Sequence, residues 1–543
     1  MATETAPATA GSINHLKRNV GLIGLLWASE SSIIGSGWLY GAKKALIAAG
    51  PAAIVAWGIG AVAIIVLALI HAELGGMFPI SGGSARFPHY AFGGATGASF
   101  GWFAWLQAAS VAPIEVEAAI GYLGQWSWAS SWMDASGDLK GVGLLAAFVL
   151  MGVFVLVNFL GIRLLTQTNS IIMWLKIAVP LATIFIVAAT HFHSSNFSAG
   201  DGFMPDGMHG VFAAVSGSGI IFALLGFEQA IQLAGESRNP RRDLPLATIL
   251  SILIGALVYL ALQIVFIAAI PSDVIPHLWS DLNFANISRP WAGLTTLVGL
   301  GWLSWVLRVD AVISPTGTGL IYTTSTSRMS LGMAKNGYWP KQLASLNGDG
   351  VPWVGLITAY VMGCICFLPF PSWQTLVGFI TSASVLMYAG APLAFGVFRS
   401  KLPEWDRPFR LAGAKVLSPL AFVVANLIIF WSGWETDWRL GVAIVIGYVS
   451  VVATRLFKAS EVPLVLDLRA AQWLPVYLIG MGVIVYGSDF GTLSSPWFSN
   501  NWDFLVVGGF SLVIYYWAQA VSLSGERIKA LIDTTVVEEL PSH

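Results

Sequence analysis

The sequence predicts an all-α protein that crosses a bilayer many times, and three observations predict it. Of its 543 residues 56% are hydrophobic and only 10% are charged, against about 25% charged in a soluble globular chain. Apolar runs long enough to cross the hydrocarbon core, which takes about 20 residues of helix, recur along the whole length. The few charges gather between those runs. A mean hydropathy of +0.74 excludes the disordered class, which needs low hydrophobicity. Twenty-seven Lys and Arg against 28 Asp and Glu leave a net charge of −1, so the basic footprint of a nucleic-acid binder is absent. The lipid bilayer is the expected partner, and no nucleic acid is.

Fourteen apolar segments can be read, near residues 21–48, 53–78, 97–128, 141–160, 167–190, 211–234, 246–270, 292–330, 353–370, 374–398, 413–434, 438–456, 473–488 and 503–523. Twelve is the alternative count. Residues 1–20 are polar and lack the short apolar core of a cleaved signal peptide, so they read as a cytoplasmic N-terminal tail. Residues 21–400 then hold ten segments, 401–523 hold the additional C-terminal ones, and 524–543 form a cytoplasmic tail. With the N-terminus inside, twenty of the 27 basic residues fall in cytoplasmic loops and five outside, the bias of the positive-inside rule. Both termini are therefore expected in the cytoplasm, with the chain in the cell inner (plasma) membrane. The other two basic residues, Lys176 and Arg308, fall inside segments.

Cys364 and Cys366 lie in one apolar run, where a CxC pair sends its sulfurs to different helix faces, so neither a disulfide framework nor a zinc site follows. No HExxH pattern or metal-spaced histidine cluster occurs. His191, His193, His209 and His277 read as solvated residues of outward loops. No catalytic residue, metal or cofactor is called for, and no obligate protein partner is evident.

Segment 1 carries Ile34-Gly35-Ser36-Gly37 in mid-membrane, and segment 6 carries Phe222-Ala223-Leu224-Leu225-Gly226-Phe227-Glu228 at a similar depth. A glycine costs about 1 kcal/mol in a helix interior. Two of them around a serine mark a place where the helix can unwind. Unwinding frees backbone groups that hydrocarbon cannot satisfy, so such a break must line a cavity that offers partners. Freed amides at a half-helix N-terminus suit a carboxylate, and freed carbonyls suit an ammonium or a cation. Together they describe a site for a zwitterion. Close helix packing through small residues is the competing reading. The positions favour the breaks, because segments 1 and 6 correspond when segments 1–5 and 6–10 are inverted repeats.

Beyond segment 6 the chain reads Ala234-Gly235-Glu236-Ser237-Arg238-Asn239-Pro240-Arg241-Arg242-Asp243-Leu244-Pro245. With Gly226-Phe227-Glu228 this resembles the GFE…AGExxNPxRxxP signature of the amino acid–polyamine–organocation (APC) superfamily of permeases. Glu73-Leu74 with Pro79 and Ser81-Gly82-Gly83, and Ala334-Lys335-Asn336-Gly337-Tyr338-Trp339-Pro340 with Val351-Pro352, agree with it. The resemblance covers about residues 20 to 400. Within the family the chain is most similar to the bacterial aspartate–proton symporter branch, on Asp310-Ala311-Val312-Ile313-Ser314-Pro315, Leu368-Pro369-Phe370-Pro371-Ser372-Trp373 and the long C-terminal extension.

The resemblance implies a LeuT-type fold and secondary active transport of an amino acid substrate. An acidic one such as aspartate is favoured, with H+ as coupling ion; an amino acid/amine exchanger is the alternative. It implies that amides at Ser36 and Gly37, within the Ile34–Gly37 break, hold the substrate carboxylate. Carbonyls near Phe222, Ala223 and Leu225, beside Gly226, hold its amino group. Phe222 stands where the family often places an aromatic gate, and Tyr322 lines the same cavity.

Ionisable groups at mid-bilayer cost roughly 2.5–3.5 kcal/mol on insertion scales. Lys176 lies about nine residues into segment 5, too deep for a simple end anchor, although snorkelling is the competing reading. In proton-coupled family members a segment 5 lysine takes the place of a sodium ion between segments 1 and 8, and Lys176 matches it. Burial disfavours the charged form of an amine, which suits a proton-exchanging group. Glu115 and Glu117 face different sides of segment 3. Glu115 matches the aspartate branch and reads either as a cavity residue that takes part in proton coupling or as a structural hydrogen-bond acceptor. Glu228 follows the second break and in the family couples protonation to gating. Glu30 either pairs with Lys176 or sits nearer the cytoplasmic mouth. Arg308 either meets a substrate carboxylate or sits near the outer end of segment 8 as half of an ion pair, and Asp310 in the same segment fits the branch pattern.

A membrane enzyme, a channel and a non-transporting sensor are the other classes. Accumulation of solute against its gradient in proteoliposomes separates them from a transporter.

Overall fold

The computed structural model describes residues 20–78, 83–134, 137–160, 162–234, 237–283, 289–348, 350–460, 462, 464–498 and 502–539. Lys17, Arg18, Pro79, Ser81, Gly82, Gly235 and Glu236 lie outside the described residues.

Segment 1 is two half-helices, α1 (Leu22–Ile33) and α2 (Gly37–Ala49), and segment 2 is α3 (Ala53–Met77). A short helix α4 (Gly83–Phe92) leads into α5 (Gly94–Leu123), which is segment 3. Segments 4 and 5 are α6 (Gly141–Phe159) and α7 (Ile162–Thr190). Segment 6 breaks into α8 (Gly207–Gly217), α9 (Ile220–Ala223) and α10 (Glu228–Gln232), and segment 7 is α11 (Pro240–Ala268). Segment 8 comprises α12 (Pro290–Leu297) and α13 (Gly301–Lys335). Segments 9 and 10 are α14 (Trp353–Cys366) and α15 (Trp373–Lys401). The C-terminal region adds α16 (Ala414–Trp431), α17 (Trp434–Leu456), α18 (Leu468–Ala471), α19 (Trp473–Tyr486), α20 (Trp502–Val521) and α21 (Gly525–Glu539).

Each of the fourteen apolar segments therefore holds helix. Boundaries differ from expectation by up to six residues, as where α11 starts at Pro240 rather than 246. Segment 3 leaves the α-helix at Leu123 rather than continuing to 128, and a 3₁₀ turn follows at Ser127–Trp132. Segment 8 is not continuous, because Gly299 adopts a positive φ of 77°, a conformation glycine reaches without steric cost. Among the described residues nine helical stretches are long and apolar enough to span, with α2 and α3 counted as one. The others are short, like α1 and α14, interrupted, like segment 6, or long but less apolar, like α5 and α13.

The most extensive packing joins α5 to α13 and α3 to α11. These are segments 3 with 8 and 2 with 7, each pair five apart. The two broken segments, 1 and 6, keep the same interval. This is the pairing of a LeuT-type 5+5 repeat, in which helices related by the repeat face each other around the centre. α15 is enclosed: α3, α4 and α5 pack on it from the core, and α16, α17 and α20 from the C-terminal region. Its apolar stretch is buried throughout, whereas those of α17 and α20 are largely exposed. The C-terminal helices thus stand between α15 and the lipid.

Two polar contacts tie the end of the core where α3 finishes and α11 begins. Glu73 of α3 is fully buried and accepts from Arg399 Nη2 at 2.6 Å and from the Leu411 amide at 2.7 Å, with Arg407 Nε 3.3 Å away. The Arg238 amide donates to the Val20 carbonyl at 2.8 Å and holds the start of α1 against the stretch leading to α11. Pro240 opens α11 at its first turn, where its missing N–H costs nothing.

Candidate functional site

The two breaks meet. A Cβ on Gly37 would stand 2.7 Å from the Ala223 Cβ, and a Cβ on Gly226 would stand 2.8 Å from the Ser32 Cβ. Gly226 also carries a φ of 126°, open to glycine and strained for other residues. Glycine is needed at both positions because segments 1 and 6 cross there with backbone almost in contact.

Unwinding at Ile34–Ser36 leaves the last carbonyls of α1 without helical partners, and three side chains supply them. Lys176 Nζ donates to the Ser31 carbonyl at 2.5 Å and to Thr318 Oγ1 at 2.6 Å. Thr318 Oγ1 donates to the same carbonyl at 3.1 Å. Tyr259 Oη donates to the Ile33 carbonyl at 2.6 Å. A helix C-terminus carries partial negative charge, and here it receives an ammonium. Lys176 is fully buried, so it does not snorkel. It ties together α1, α7 and α13. Glu115 and Asp310 are the acidic groups near enough to act on its charge. Glu30 is buried as well, but neither of its oxygens has a hydrogen-bond partner among the described residues. The pairing of Glu30 with Lys176 is therefore not made.

The other side of the break offers donors. Ser36 precedes α2, and its amide donates to Glu115 Oε2 at 2.9 Å while its hydroxyl donates to Glu115 Oε1 at 3.1 Å. Trp373 Nε1 donates to the Ser36 hydroxyl at 2.8 Å. The Trp373 ring stacks on Tyr40 at 4.9 Å and meets Phe222 edge-on at 5.9 Å. A small cavity between the breaks is lined by Ser32, Ile33, Gly35, Val111, Glu115, Phe222, Leu225, Thr318 and Tyr322. Its free room is about that of one water molecule.

Glu228 is held from three sides. It accepts from the Gly226 amide at 3.0 Å, from Tyr322 Oη at 3.1 Å and from Tyr388 Oη at 2.6 Å, and so clamps the second break to α13 and α15. The Phe222 carbonyl accepts from the Leu225 amide at 3.2 Å. Ile34 and Ala223 are buried in the crossing and do not line the cavity. Arg308 does not line it either. Asp310 and Glu117 are buried with no hydrogen-bond partner for any carboxylate oxygen among the described residues.

The sequence reading missed Trp373, Thr318, Tyr259 and Tyr388 as site residues. Thr318 carried a signal, since Ser314, Thr318 and Tyr322 recur every four residues and share one face of α13. Trp373 ends a stretch that resembles the aspartate branch, but nothing marked it as a site residue, because its partner Ser36 lies 337 residues away.

Comparison with known proteins identifies the family. The amino acid permease family matches residues 20–449. The glutamate/serine transporter AimA of Bacillus subtilis (strain 168) is 36% identical over 524 residues, covering 95% of this chain and 96% of the relative. The aspartate-proton symporter of the same organism is 33% identical over 521 residues, covering 96% and 98%. The branched-chain amino acid permease BcaP, also from B. subtilis, is 28% identical over 458 residues, covering 81% and 94%. The family match and the two full-length relatives place this membrane protein: the chain belongs to the amino acid permease family of the APC superfamily.

Proposed function

We propose that this amino acid permease imports an acidic amino acid, aspartate foremost, together with a proton, across the plasma membrane and with both termini in the cytoplasm. The observation that carries the reading is Lys176. An ammonium stands between the Ser31 carbonyl and Thr318, a position whose carbonyl and hydroxyl oxygens would also suit a bound cation. A protonated lysine holds α1 to α7 and α13 through charge-assisted hydrogen bonds, which are about twice as strong as neutral ones. Loss of the proton loosens that tie, so proton exchange at Lys176 biases how segment 1 sits against segments 5 and 8. The amino acid lies between the breaks, with its carboxylate at Ser36 and Gly37 and its ammonium towards the carbonyls near Phe222, Ala223 and Leu225. Phe222 and Trp373 cover it. Two relatives, one an aspartate-proton symporter and the other a glutamate/serine transporter, support the acidic substrate and the proton.

The test is uptake into proteoliposomes with an inward proton gradient and no sodium, competed by each of the twenty amino acids. Accumulation blocked by aspartate and glutamate is expected. Exchange without net accumulation supports an antiporter instead.

A further inference from the structure

The donors assigned to the substrate carboxylate are already engaged by a carboxylate of the chain itself. Glu115 is 1% exposed and spans the Ser36 amide and hydroxyl with both of its oxygens. The indole N–H is a donor only, so Trp373 makes the Ser36 oxygen accept at that side and leaves the hydroxyl proton for a carboxylate. Gly35 completes the cradle, since a Cβ there would stand 2.6 Å from Glu115 Oε1. With Glu115 in place, the cavity beside it has room for about one water, too little for an amino acid.

We propose that Glu115 is a tethered competitor for the substrate's α-carboxylate, holding the Ser36 donors while ionised and giving them up when it takes up a proton. This rests on the reading of the segment 1 break as the amino acid's carboxylate site. The step moves one proton from water to a Glu115 oxygen and forms no other covalent bond. A protonated carboxyl keeps only its carbonyl oxygen as a free acceptor and has lost its charge, so it can satisfy one of the two Ser36 donors at most, and by a weaker bond than the ionised substrate carboxylate makes. The substrate carboxylate then brings the same single negative charge to the same donors. Lys176 faces one anion before and after the exchange, and neither state leaves a buried charge uncompensated.

The titratable groups that face Glu115 are Lys176 from α7, Tyr40 from α2 and Tyr259 from α11. Asp310 of α13 acts on Lys176, and Glu30 of α1 acts on Tyr259. Glu117 is on Glu115's own helix and has Asp138 as its charged neighbour. Lys176 is therefore the group that must be separated from Glu115 by experiment.

Linkage makes the inference measurable. A substrate whose binding takes up one proton loses affinity by about tenfold per pH unit above the titration of the competitor. Binding of L-serine and L-aspartate to the purified full-length protein is measured from about pH 5 to about pH 9 for the wild type, Glu115→Gln, Glu115→Ala and Lys176→Ala. The expected result is a steep loss of affinity with pH in the wild type and Lys176→Ala, and a flat profile in both Glu115 variants. A second measurement needs no variant: mixing wild-type protein with L-aspartate in weak buffer should remove about one proton per bound substrate from solution. A wild-type slope that survives in both Glu115 variants, or binding without proton uptake, overturns the inference and leaves the amino acid site standing. Absence of any binding to the wild type at every pH overturns the site assignment and the inference together.

Discussion

The indole N–H of Trp373 lies 2.8 Å from the Ser36 hydroxyl, joining the first turn of α15 to the break in segment 1. The contact fixes which way the hydroxyl proton points, and so prepares a donor pair for a carboxylate. Trp373→Phe keeps an aromatic ring against Tyr40 but removes this donor. One buried hydrogen bond is worth about 1 kcal/mol, so KM should rise roughly fivefold. Initial uptake rates measure it. An unchanged KM would mean that the hydroxyl needs no such guide.

The crossing of the breaks makes a packing prediction. Gly37→Ala puts a methyl group 2.7 Å from the Ala223 Cβ. Overpacking of this kind costs about 1–3 kcal/mol, and the variant should unfold at a lower temperature and lose transport. Gly58→Ala in α3 is the control, because nothing lies within 4 Å of a Cβ there. It should match or exceed the wild type, since alanine is favoured over glycine in a helix by about 1 kcal/mol. Thermal unfolding of the two purified variants checks both halves. Equal melting temperatures would contradict the close approach.

Between the apolar segments 2 and 3, His89 of α4 meets the Tyr338 hydroxyl at 2.9 Å. Burial, reinforced by the charges of Arg86 and Arg527, pushes its imidazole down to about 4. The folded value lies below the unfolded one of about 6.5, so the unfolded chain binds more protons between them. This residue's stabilising contribution is full above about 6.5 and is lost as pH falls towards about 4. His89→Gln should flatten that acid limb in a plot of melting temperature against pH. An acid limb as steep as that of the wild type would assign it to other groups.

How much of this was readable beforehand follows from what each feature costs. The breaks were legible because glycine in mid-membrane is expensive, Gly35 and Gly37 in one segment and Gly226 in the other, and both fell where the helices part: Ile34–Ser36 between α1 and α2, and Leu224–Phe227 between α9 and α10. Lys176 was legible because a charge in hydrocarbon needs a reason. Its partners were not, because Ser31 offers a backbone carbonyl, which every residue has, and Thr318 lies 142 residues away. Helical periodicity separated Glu115 from Glu117 without telling which one meets Ser36. Glu30 illustrates the limit of pairing by proximity in sequence: it adjoins Ser31, whose carbonyl holds Lys176, yet its own carboxylate does not reach the lysine.

The central claim is that Lys176 couples proton movement to import. Lys176→Ala removes the ammonium from the Ser31 carbonyl and Thr318 while leaving the Ser36 donors in place. The decisive measurement is uptake of labelled aspartate into proteoliposomes, with and without an inward proton gradient, set beside exchange against internal aspartate. Loss of gradient-driven accumulation with exchange retained is the predicted result. Gradient-driven accumulation at the wild-type level in Lys176→Ala would contradict it.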